Sequence, residues 1–322
     1  MVVKIAQAKP LNITIFGIGA LGTLFGSHLN SVAQVTLFGH WPAQFAALRR
    51  DGLSMTHPDG HQSHHRLTIT NQLQQIPTTD LALVLVKSHQ TAQVAQQAVR
   101  VLHLDGLVLT LQNGLGNYEQ LADIVGSERT TLGITAQGAT MTAPGQLLYA
   151  GTGPTHLTRS PTQADRLTII TELFNRAGLP TMLVDQADSL VWGKLAINAG
   201  INPLTSLLEL PNGALVEPSK YQTMMITAAL EVAQVAKAQG IELPYPDVAQ
   251  RVIDVCLATA TNHSSMLQDI KRGASTEIEA ICGQVVKHGQ RLGVPTPMNV
   301  RLLTLVQAKE RGENVEQALT CS

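Results

Sequence analysis

The sequence is poor in aromatic and charged residues. Only 3% of its 322 residues are aromatic and 14% are charged, and the formal net charge is −1 without any block of like charge. Proteins that bind nucleic acid usually present a basic face or aromatic stacking residues, so this composition argues against nucleic acid as a partner. The same balance of charge argues against a membrane-surface protein.

Cysteine and long apolar runs are also scarce. The three cysteines, Cys256, Cys282 and Cys321, are odd in number and form no C-x-x-C pair, which predicts neither a disulfide nor a metal site. No apolar run reaches the roughly 18 residues that a membrane helix requires. Residues 1–10 (MVVKIAQAKP) lack the apolar region of a signal peptide. We therefore expect a cytoplasmic protein with no membrane partner.

The most informative motif lies in residues 11–24 (LNITIFGIGALGTL). A β-branched strand at 13–16 is followed by Gly17, Gly19 and Gly22 in a G-x-G-x-x-G pattern that opens a helix. The first glycine permits the sharp turn, the second lets a pyrophosphate approach the backbone, and the third allows the helix to pack closely on the sheet. This context predicts a dinucleotide site. The alternative is a tight strand–helix turn in another α/β fold.

The end of the second predicted strand, residues 35–38, bears on cofactor choice. Sites that prefer NAD usually place Asp or Glu here to bind the ribose 2′-hydroxyl. This chain has Gly39, His40, Trp41 and Pro42 instead, followed by two arginines. The missing carboxylate favours NADP, although NAD stays open. His40 is either a weak phosphate ligand, being mostly neutral at pH 7, or a polar loop residue.

Further strands are predicted at 80–86 and 107–111, each ending in polar residues. In a parallel sheet, ligands bind beyond the carboxyl ends of the strands, which places Lys87 and Asn113 where they can meet cofactor or substrate. The remaining β-rich segments, 130–140, 145–149 and 155–157, are expected to complete the same sheet. The segments 91–102 and 163–177 are predicted helices, and 180–184 a closing strand.

Residues 52–69 are predicted to form a hairpin that contains four histidines, His57, His61, His64 and His65. No cysteine or paired carboxylate stands at ligand spacing beside them. We therefore interpret the histidines as belonging to a solvated loop, with no metal.

Near Gln186 the β-rich pattern gives way to helical periodicity. We predict a dinucleotide-binding domain at 1–186 and a helical domain at 187–322. A helix over 187–199 is expected to end or bend at Pro203. Helices are also predicted at 219–239, at 247–260 running on to a break at Gly273, and from 276 onward with Ser275 as N-cap.

Lys194 is the candidate catalytic residue. Reduction of a ketone by hydride builds negative charge on the oxygen, and a positioned ammonium can stabilise that charge and supply the proton. Asn198 and Asn202 follow at spacings of four and eight residues and share its helix face. Neutral amides and hydroxyls can hold a 2-oxo acid carboxylate without trapping the product.

Four segments together resemble the ketopantoate reductase family: GIGALG, QNGLG, WGKLAINAGINPLTSLLELPNG and NHSSMLQDIKRGASTEIEAICGQV. The resemblance spans nearly the whole chain. It implies an α/β fold with an N-terminal Rossmann-type domain and an all-α C-terminal domain. The implied activity is the NADPH-dependent reduction of 2-dehydropantoate to (R)-pantoate, on the route to pantothenate and coenzyme A. The family also suggests a homodimer.

The resemblance implies specific roles by position. Lys194 matches the catalytic lysine of K-L-x-x-N, and His40 stands where relatives commonly carry arginine. The implied substrate-binding residues are Asn113, Asn198, Asn202, Asn212, Asn262 and Ser265. The implied cofactor-binding residues are Gly17, Ile18, Gly19, Ala20, Leu21, Gly22, His40, Lys87, Asn113, Gly138 and Glu277.

Two alternatives stay open. The first is a D-2-hydroxy acid dehydrogenase of the same family that acts on other branched or aromatic 2-oxo acids with NADH, which the His40 departure motivates. The second is a non-catalytic dinucleotide sensor, against which the joint presence of Lys194, Asn198, Ser265 and Glu277 argues.

Overall fold

The computed structural model describes residues 10–315 and residue 319, which form two compact units. The first unit comprises the described residues up to Val86 together with Gln90–Gln112 and Tyr118–Asp185. The second comprises Lys87–His89, Asn113–Asn117 and the described residues from Gln186 onward. Two short segments of the N-terminal half therefore group with the helical unit.

All strands of the described chain lie in the first unit. They are β1 (Asn12–Phe16), β2 (Gln34–Phe38), β3 (Leu53–Thr56), β4 (Gln62–His65), β5 (Thr68–Thr70), β6 (Thr79–Val84), β7 (Leu102–Thr110), β8 (Thr130–Thr135), β9 (Gly138–Ala143), β10 (Gln146–Gly151), β11 (Thr155–Thr158) and β12 (Thr181–Val184).

The helices divide between the two units. The first unit holds α1 (Ala20–Leu29), α2 (Pro42–Arg50), α3 (Thr91–Val101), α4 (Asn117–Val125) and α5 (Ala164–Arg176), with α4 beginning at the last residue that groups with the second unit. The second holds α6 (Asp188–Leu208), α7 (Lys220–Ala238), α8 (Val248–Ala258), α9 (Ser265–Lys271), α10 (Gln284–Leu292) and α11 (Pro297–Glu310). No helix of the described residues is both long enough and apolar enough to cross a membrane.

The main sheet has eight strands in the order β12-β11-β8-β7-β6-β1-β2-β5. The run from β5 to β8 is parallel throughout, and β11 joins it antiparallel to β8. The strand order reverses where β2 and β6 flank β1, which is the point at which doubly wound sheets bind ligands. The predicted fold, a parallel α/β nucleotide-binding domain followed by a helical domain, is confirmed.

The expectation that every later strand completes this one sheet is wrong. β9 and β10 leave the main sheet and pair with the hairpin β3–β4 in a separate sheet of order β4-β3-β10-β9. β10 runs parallel to β3, so residues about 90 positions apart in the chain share one ladder. The apolar residues of this small sheet join the core beneath α1: Met55, Leu147 and Tyr149 pack in the same cluster as Leu24 and Phe25.

The helix that carries Lys194 was predicted over 187–199, to end or bend at Pro203, but it does not end there. α6 continues to Leu208, with residues 199–207 all buried. A proline within a helix removes one backbone hydrogen bond. Thr205 and Ser206 lie just beyond it and donate their hydroxyls to backbone carbonyls of the same helix. Packing of this fully buried segment thus outweighs the helix-breaking tendency of one proline.

Two helix boundaries in the second unit also differ from expectation. The helix predicted from 247 ends at Ala258, and a turn separates it from α9, which begins at Ser265. Ser264 is the N-cap of α9, and its Oγ accepts the N–H of Leu267 at 3.1 Å. The predicted Ser275 cap is not used in this way, because the N–H of Ile278 donates to Thr276 Oγ1 instead.

A buried carboxylate ties α7 to α11. Glu231 is 5% exposed, and its oxygens accept the backbone N–H groups of Met298 and Asn299 at 2.8 and 2.9 Å. These amides belong to the first turn of α11, which has no earlier helical carbonyl to bind. The negative charge also suits the positive end of the helix dipole. Glu231 therefore caps α11 from a neighbouring helix.

The histidines of the hairpin contact one another and Ser63, in addition to solvent. Ser63 Oγ lies 2.7 Å from His57 Nε2 and 2.8 Å from His65 Nε2, and the His57 ring stacks on His61 at 3.8 Å. Among the described residues, no group of three potential ligands is placed to hold a metal ion. Burial lowers the pKa of both His57 and His65, and neighbouring histidines, including His28, lower it further.

This arrangement predicts acid sensitivity of the first unit. An unfolded histidine has a pKa of about 6.5, above the lowered folded values, so the unfolded state binds more protons as the pH falls through that region. We expect the melting temperature to drop as the pH is lowered below about 6.5, and the drop to be smaller in His65→Gln. His103→Gln, at an exposed histidine of the same unit, is the control. Equal acid sensitivity in all three proteins would contradict the prediction.

The cysteines Cys256 and Cys282 are buried and free. Burial raises the pKa of the Cys256 thiol to about 11 and raises that of Cys282 as well, so neither is a thiolate at neutral pH. Cys321 lies outside the described residues.

Candidate functional site

The glycine turn joins β1 to α1 at the centre of the main sheet. The Gly17 N–H donates to Phe38 O at 2.8 Å, which links the turn to the end of β2. A Cβ at Gly22 would lie 2.0 Å from the Gly17 carbonyl oxygen, so the helix can begin here only without a side chain. A Cβ at Gly19 would have no protein atom within 4 Å. The turn is therefore tight on its inner side and open at Gly19.

The residues present fit a dinucleotide. α1 begins at Ala20 with no side-chain cap and no acidic residue in its first turn. Its first N–H groups have no carbonyl one turn earlier, so they are available to an anion, which the helix dipole also favours. Open space at Gly19 lies beside these amides. This is the arrangement that a pyrophosphate requires.

The segment after β2 supplies His40 but no guanidinium. His40 is exposed, and its ring makes an edge contact with Phe38 at 4.9 Å. Arg49 and Arg50 lie at the far end of α2, about 10 Å along the helix from its start. Arg50 is engaged by Asp51 at 2.7 Å. Of the basic side chains between Gly39 and Arg50, His40 is therefore the nearest in sequence to the end of β2.

Gly138, another predicted cofactor residue, is the first residue of β9 in the small sheet and pairs with Gly151 of β10. No side chain at this position restricts access to the backbone.

A cluster of charged side chains lies in the second unit. Lys87 Nζ lies 2.6 Å from Asp269 Oδ2 and 3.6 Å from Glu277 Oε2. Arg272 Nη2 pairs with the other oxygen of Asp269. Both carboxylates are nearly inaccessible, with Asp269 2% and Glu277 6% exposed. Burial lowers the pKa of Lys87, but Glu277 and Asp269 more than reverse this, so its pKa is raised.

Asn113 is positioned by a close backbone contact in the same unit. Its Nδ2 donates to Glu277 Oε2 at 3.4 Å, and the N–H of Leu115 donates to Ala280 O at 2.9 Å. Between them, a Cβ at Gly114 would lie 2.3 Å from that same carbonyl oxygen. Because Gly114 has no side chain, its backbone can approach that of Ala280, and this approach brings the Asn113 amide to Glu277.

Ala280 belongs to a π-helical turn, Glu279–Gly283, that begins two residues after Glu277 and leads into α10. Within this turn, the N–H of Gly283 donates to the carbonyl oxygen of Ile278, five residues earlier. Such π turns contain one residue more than the α-helical repeat and are frequent at functional sites.

Lys194 lies half-buried on α6, in the electrostatic field of Glu277. Burial lowers the pKa of its ammonium, and the Glu277 carboxylate opposes this, leaving a pKa of about 8. A lysine with this value is protonated at neutral pH yet releases its proton far more readily than an ordinary lysine. Perturbation by burial and a specific charge is typical of functional sites.

The predicted amide and hydroxyl residues fall into two groups. Asn198, half-buried, and Asn202, buried, lie on the same helix as Lys194. Asn212, by contrast, is joined to the turn before α9: its N–H donates to Asn262 O at 2.9 Å, and its Nδ2 donates to Thr259 Oγ1 at 2.9 Å. Asn262 and Ser265 are exposed in that region.

Sequence reasoning missed Asp269 and Arg272. Asp269 lies on α9, four residues after Ser265, and a lone aspartate in a polar segment is ordinarily a solvated helix residue. The available signal was its place one helical turn from a predicted substrate residue. Its burial could not be anticipated without the partner, since Lys87 lies about 180 positions earlier in the chain.

Two family profiles match this chain. The one described as ketopantoate reductase PanE/ApbA matches residues 13–161, and the one described as ketopantoate reductase PanE/ApbA C terminal matches residues 186–310. Together they include both the glycine turn and the charged cluster of the second unit.

Full-length relatives give the same result. The chain is 35% identical to a 2-dehydropantoate 2-reductase from Halobacterium salinarum over 304 residues, covering 94% of this chain and 99% of the relative. It is 32% identical to a 2-dehydropantoate 2-reductase from Pyrococcus horikoshii, covering 93% and 98%.

Solved structures of similar fold include two kinds of protein. D-mandelate dehydrogenase in a ternary structure with NADH and anilino(oxo)acetate aligns with a TM-score of 0.87 at 27% identity, over 94% of this chain and 99% of that one. A PanE/ApbA family ketopantoate reductase from Ralstonia eutropha aligns with a TM-score of 0.85 at 28% identity, over the same shares.

Proposed function

Because the chain belongs to the ketopantoate reductase PanE/ApbA family, we propose that it reduces 2-dehydropantoate to (R)-pantoate with NADPH, as a step in pantothenate and coenzyme A biosynthesis. It is an NAD(P)-dependent oxidoreductase of that family. The observation that carries the proposal is that α6 places a half-buried lysine, Lys194, in the same unit as the buried carboxylate of Glu277, whose charge supports the ammonium.

In the proposed reaction, Lys194 is the general acid. A bound reduced nicotinamide would supply the hydride to the carbonyl carbon. The ammonium donates a charge-assisted hydrogen bond to the carbonyl oxygen and passes its proton to that oxygen as negative charge develops. Glu277 stabilises the protonated form of Lys194 before the reaction. The lysine leaves the step as a neutral amine and recovers its proton from solvent.

The remaining roles follow from the chemistry of the side chains. The glycine turn, residues 17–22, with His40 and Gly138, would hold the dinucleotide, and Lys87, Asn113 and Glu277 would hold its nicotinamide end. Neutral donors would bind the substrate carboxylate and hydroxyl: Asn113, Asn198, Asn202, Asn212, Asn262 and Ser265. We place the functional boundary at residue 186, with cofactor binding before it and catalysis after it.

A second candidate function is a D-2-hydroxy acid dehydrogenase that acts on aromatic or other branched 2-oxo acids with NADH. Two observations favour it: the high structural similarity to D-mandelate dehydrogenase bound to NADH, and His40 in place of an arginine after β2. The absence of a carboxylate there still favours NADPH, because nothing in that segment repels a 2′-phosphate.

Steady-state kinetics on a panel of substrates separates the two. The panel contains 2-dehydropantoate, phenylglyoxylate and 2-oxoisovalerate, each with NADPH and with NADH. The first proposal expects the largest kcat/KM for 2-dehydropantoate with NADPH. A larger value for phenylglyoxylate with NADH would establish the second candidate instead.

The pKa of Lys194 predicts the pH dependence of both directions of the reaction. Reduction needs the ammonium, so log kcat/KM for the 2-oxo acid should be flat below about pH 8 and fall with a slope near −1 above it. Oxidation of the 2-hydroxy acid needs the neutral amine as base, so its rate should rise through the same pH. A reduction profile that is flat to pH 10 would exclude Lys194 as the proton donor.

A further inference from the structure

In the charged cluster of the second unit, the carboxylates are fewer than the cations that they influence. Two cations, Lys87 and Arg272, lie within 4 Å of its two carboxylates, Asp269 and Glu277. Glu277 also acts electrostatically on a third cation, Lys194. The pairing of Lys87 and Arg272 with these carboxylates therefore determines how strongly Glu277 stabilises the positive charge of Lys194.

The distances show how Lys87 is shared. Its Nζ is 2.6 Å from Asp269 Oδ2 but 3.6 Å from Glu277 Oε2. The Lys87 ammonium is thus in direct contact with Asp269 and only near Glu277. Coulomb attraction falls with distance, and a charge-assisted hydrogen bond requires the shorter separation.

Asp269 is built to hold this cation. Its side chain is 2% exposed and has a cation at each oxygen, Lys87 at Oδ2 and Arg272 at Oδ1. The segment after α9 folds back over the end of that helix, because the N–H groups of Arg272 and Ala274 both donate to the backbone carbonyl of Asp269. A buried carboxylate requires compensation by cations such as Lys87 and Arg272. Burial raises the pKa of Asp269, and the two cations oppose that rise.

Glu277 is left with a different set of partners. It accepts the Asn113 amide at 3.4 Å and acts electrostatically on Lys194. If Asp269 lost its charge, Glu277 would be the nearest anion left to Lys87. The ammonium would then move onto Glu277, and the field of that carboxylate would be divided between two lysines.

We propose that Asp269 is a positioning residue of the active site, which holds Lys87 away from Glu277 and so reserves the Glu277 carboxylate for the catalytic ammonium of Lys194. This inference rests on the proposed role of Lys194 as proton donor. It assigns Asp269 a function that acts through two other side chains, without contact with the substrate.

The test is the pH profile of kcat/KM for the 2-oxo acid in Asp269→Asn, at saturating NADPH. The alkaline limb should move to lower pH by about half a unit or more, because Lys194 loses part of the carboxylate that supports its charge. Well above pH 8, activity expressed relative to each protein's own plateau should be about threefold or more lower in Asp269→Asn than in the wild type. Asp254→Asn, on the exposed face of α8, is the control and should leave the limb in place.

A double variant distinguishes positioning from general structural damage. Lys87→Met combined with Asp269→Asn removes the competing cation, so the limb should return to the wild-type position or above, even though cofactor affinity falls. A limb that stays at low pH in the double variant, or one that never moves in Asp269→Asn, overturns the proposal. If Asp269→Asn does not fold, Lys87→Met alone should raise the limb, and a lowered limb there overturns it equally.

A direct titration keeps this proposal separate from the proposed function. The Lys194 resonance in protein labelled with ¹³C at lysine Cε, assigned by its loss in Lys194→Ala, reports its protonation without any turnover. A lowered midpoint in Asp269→Asn supports the positioning role even if the wild-type protein reduces no 2-oxo acid. An unchanged midpoint contradicts it even if the protein is an active reductase.

Discussion

Lys194→Ala is expected to lower kcat for 2-oxo acid reduction by about 10²–10⁴-fold, the range that general acid catalysis contributes. The variant loses both the proton donor and the positive charge that stabilises the developing alkoxide. The KM for the cofactor should change little, since the proposed dinucleotide-binding residues are untouched. Steady-state and single-turnover kinetics, with cofactor affinity from fluorescence titration, measure these quantities independently.

The control for this substitution is Lys287→Ala, which removes an exposed lysine from α10 in the same unit. It should retain wild-type kcat and KM. Cofactor binding that survives while turnover falls to background would exclude the sensor alternative, because a sensor has no turnover to lose. A Lys194→Ala variant that keeps most of its activity would remove the mechanism proposed above.

Gly19→Ala and Gly22→Ala are expected to fail in different ways. The Gly19 Cβ meets no protein atom within 4 Å, so Gly19→Ala should fold and melt like the wild type. It would nonetheless occupy the space proposed for the pyrophosphate, so the Kd for NADPH should rise by about tenfold or more, equivalent to ~1.4 kcal/mol.

The Gly22 Cβ would lie 2.0 Å from a backbone carbonyl. The turn must open to admit it, which we expect to cost about 1–3 kcal/mol of stability, as overpacking does, in addition to cofactor affinity. Thermal melting and cofactor titration of both variants provide the measurement. Tight NADPH binding by Gly19→Ala would mean that the pyrophosphate does not lie on this turn.

The parts of the fold that the sequence predicted are those encoded by adjacent residues. The glycine turn is one example, because strand, turn and helix are specified within about fourteen residues of each other. The small second sheet was not predictable, since β3 and β10 are distant in the chain and their alternation is equally compatible with the main sheet. The small sheet forms because its apolar residues pack against α1, and that packing exists only in the assembled core.

The same limit applies to the candidate site. Lys194 and Glu277 were predicted as site residues from short motifs that match the family. Asp269 was not identified, because a carboxylate becomes informative only when its cation is known, and Lys87 comes from a segment that groups with the helical unit although it follows a strand of the first. The end of α6 was predicted too early for a related reason: the local rule for helix ends at proline was outweighed by the burial of residues 199–207.

The π-helical turn Glu279–Gly283 gives the site an unusual dependence on chain length. The extra residue of this turn sets the angle, about the axis of α10, at which the preceding segment with Glu277 leaves the helix. Deleting one residue within 279–283 would let an uninterrupted α-helix form, and would swing Glu277 about 100° around that axis. The chemical composition of the cluster would be unchanged, but its carboxylate would face elsewhere. Indels in this segment are therefore more disruptive than most substitutions in it.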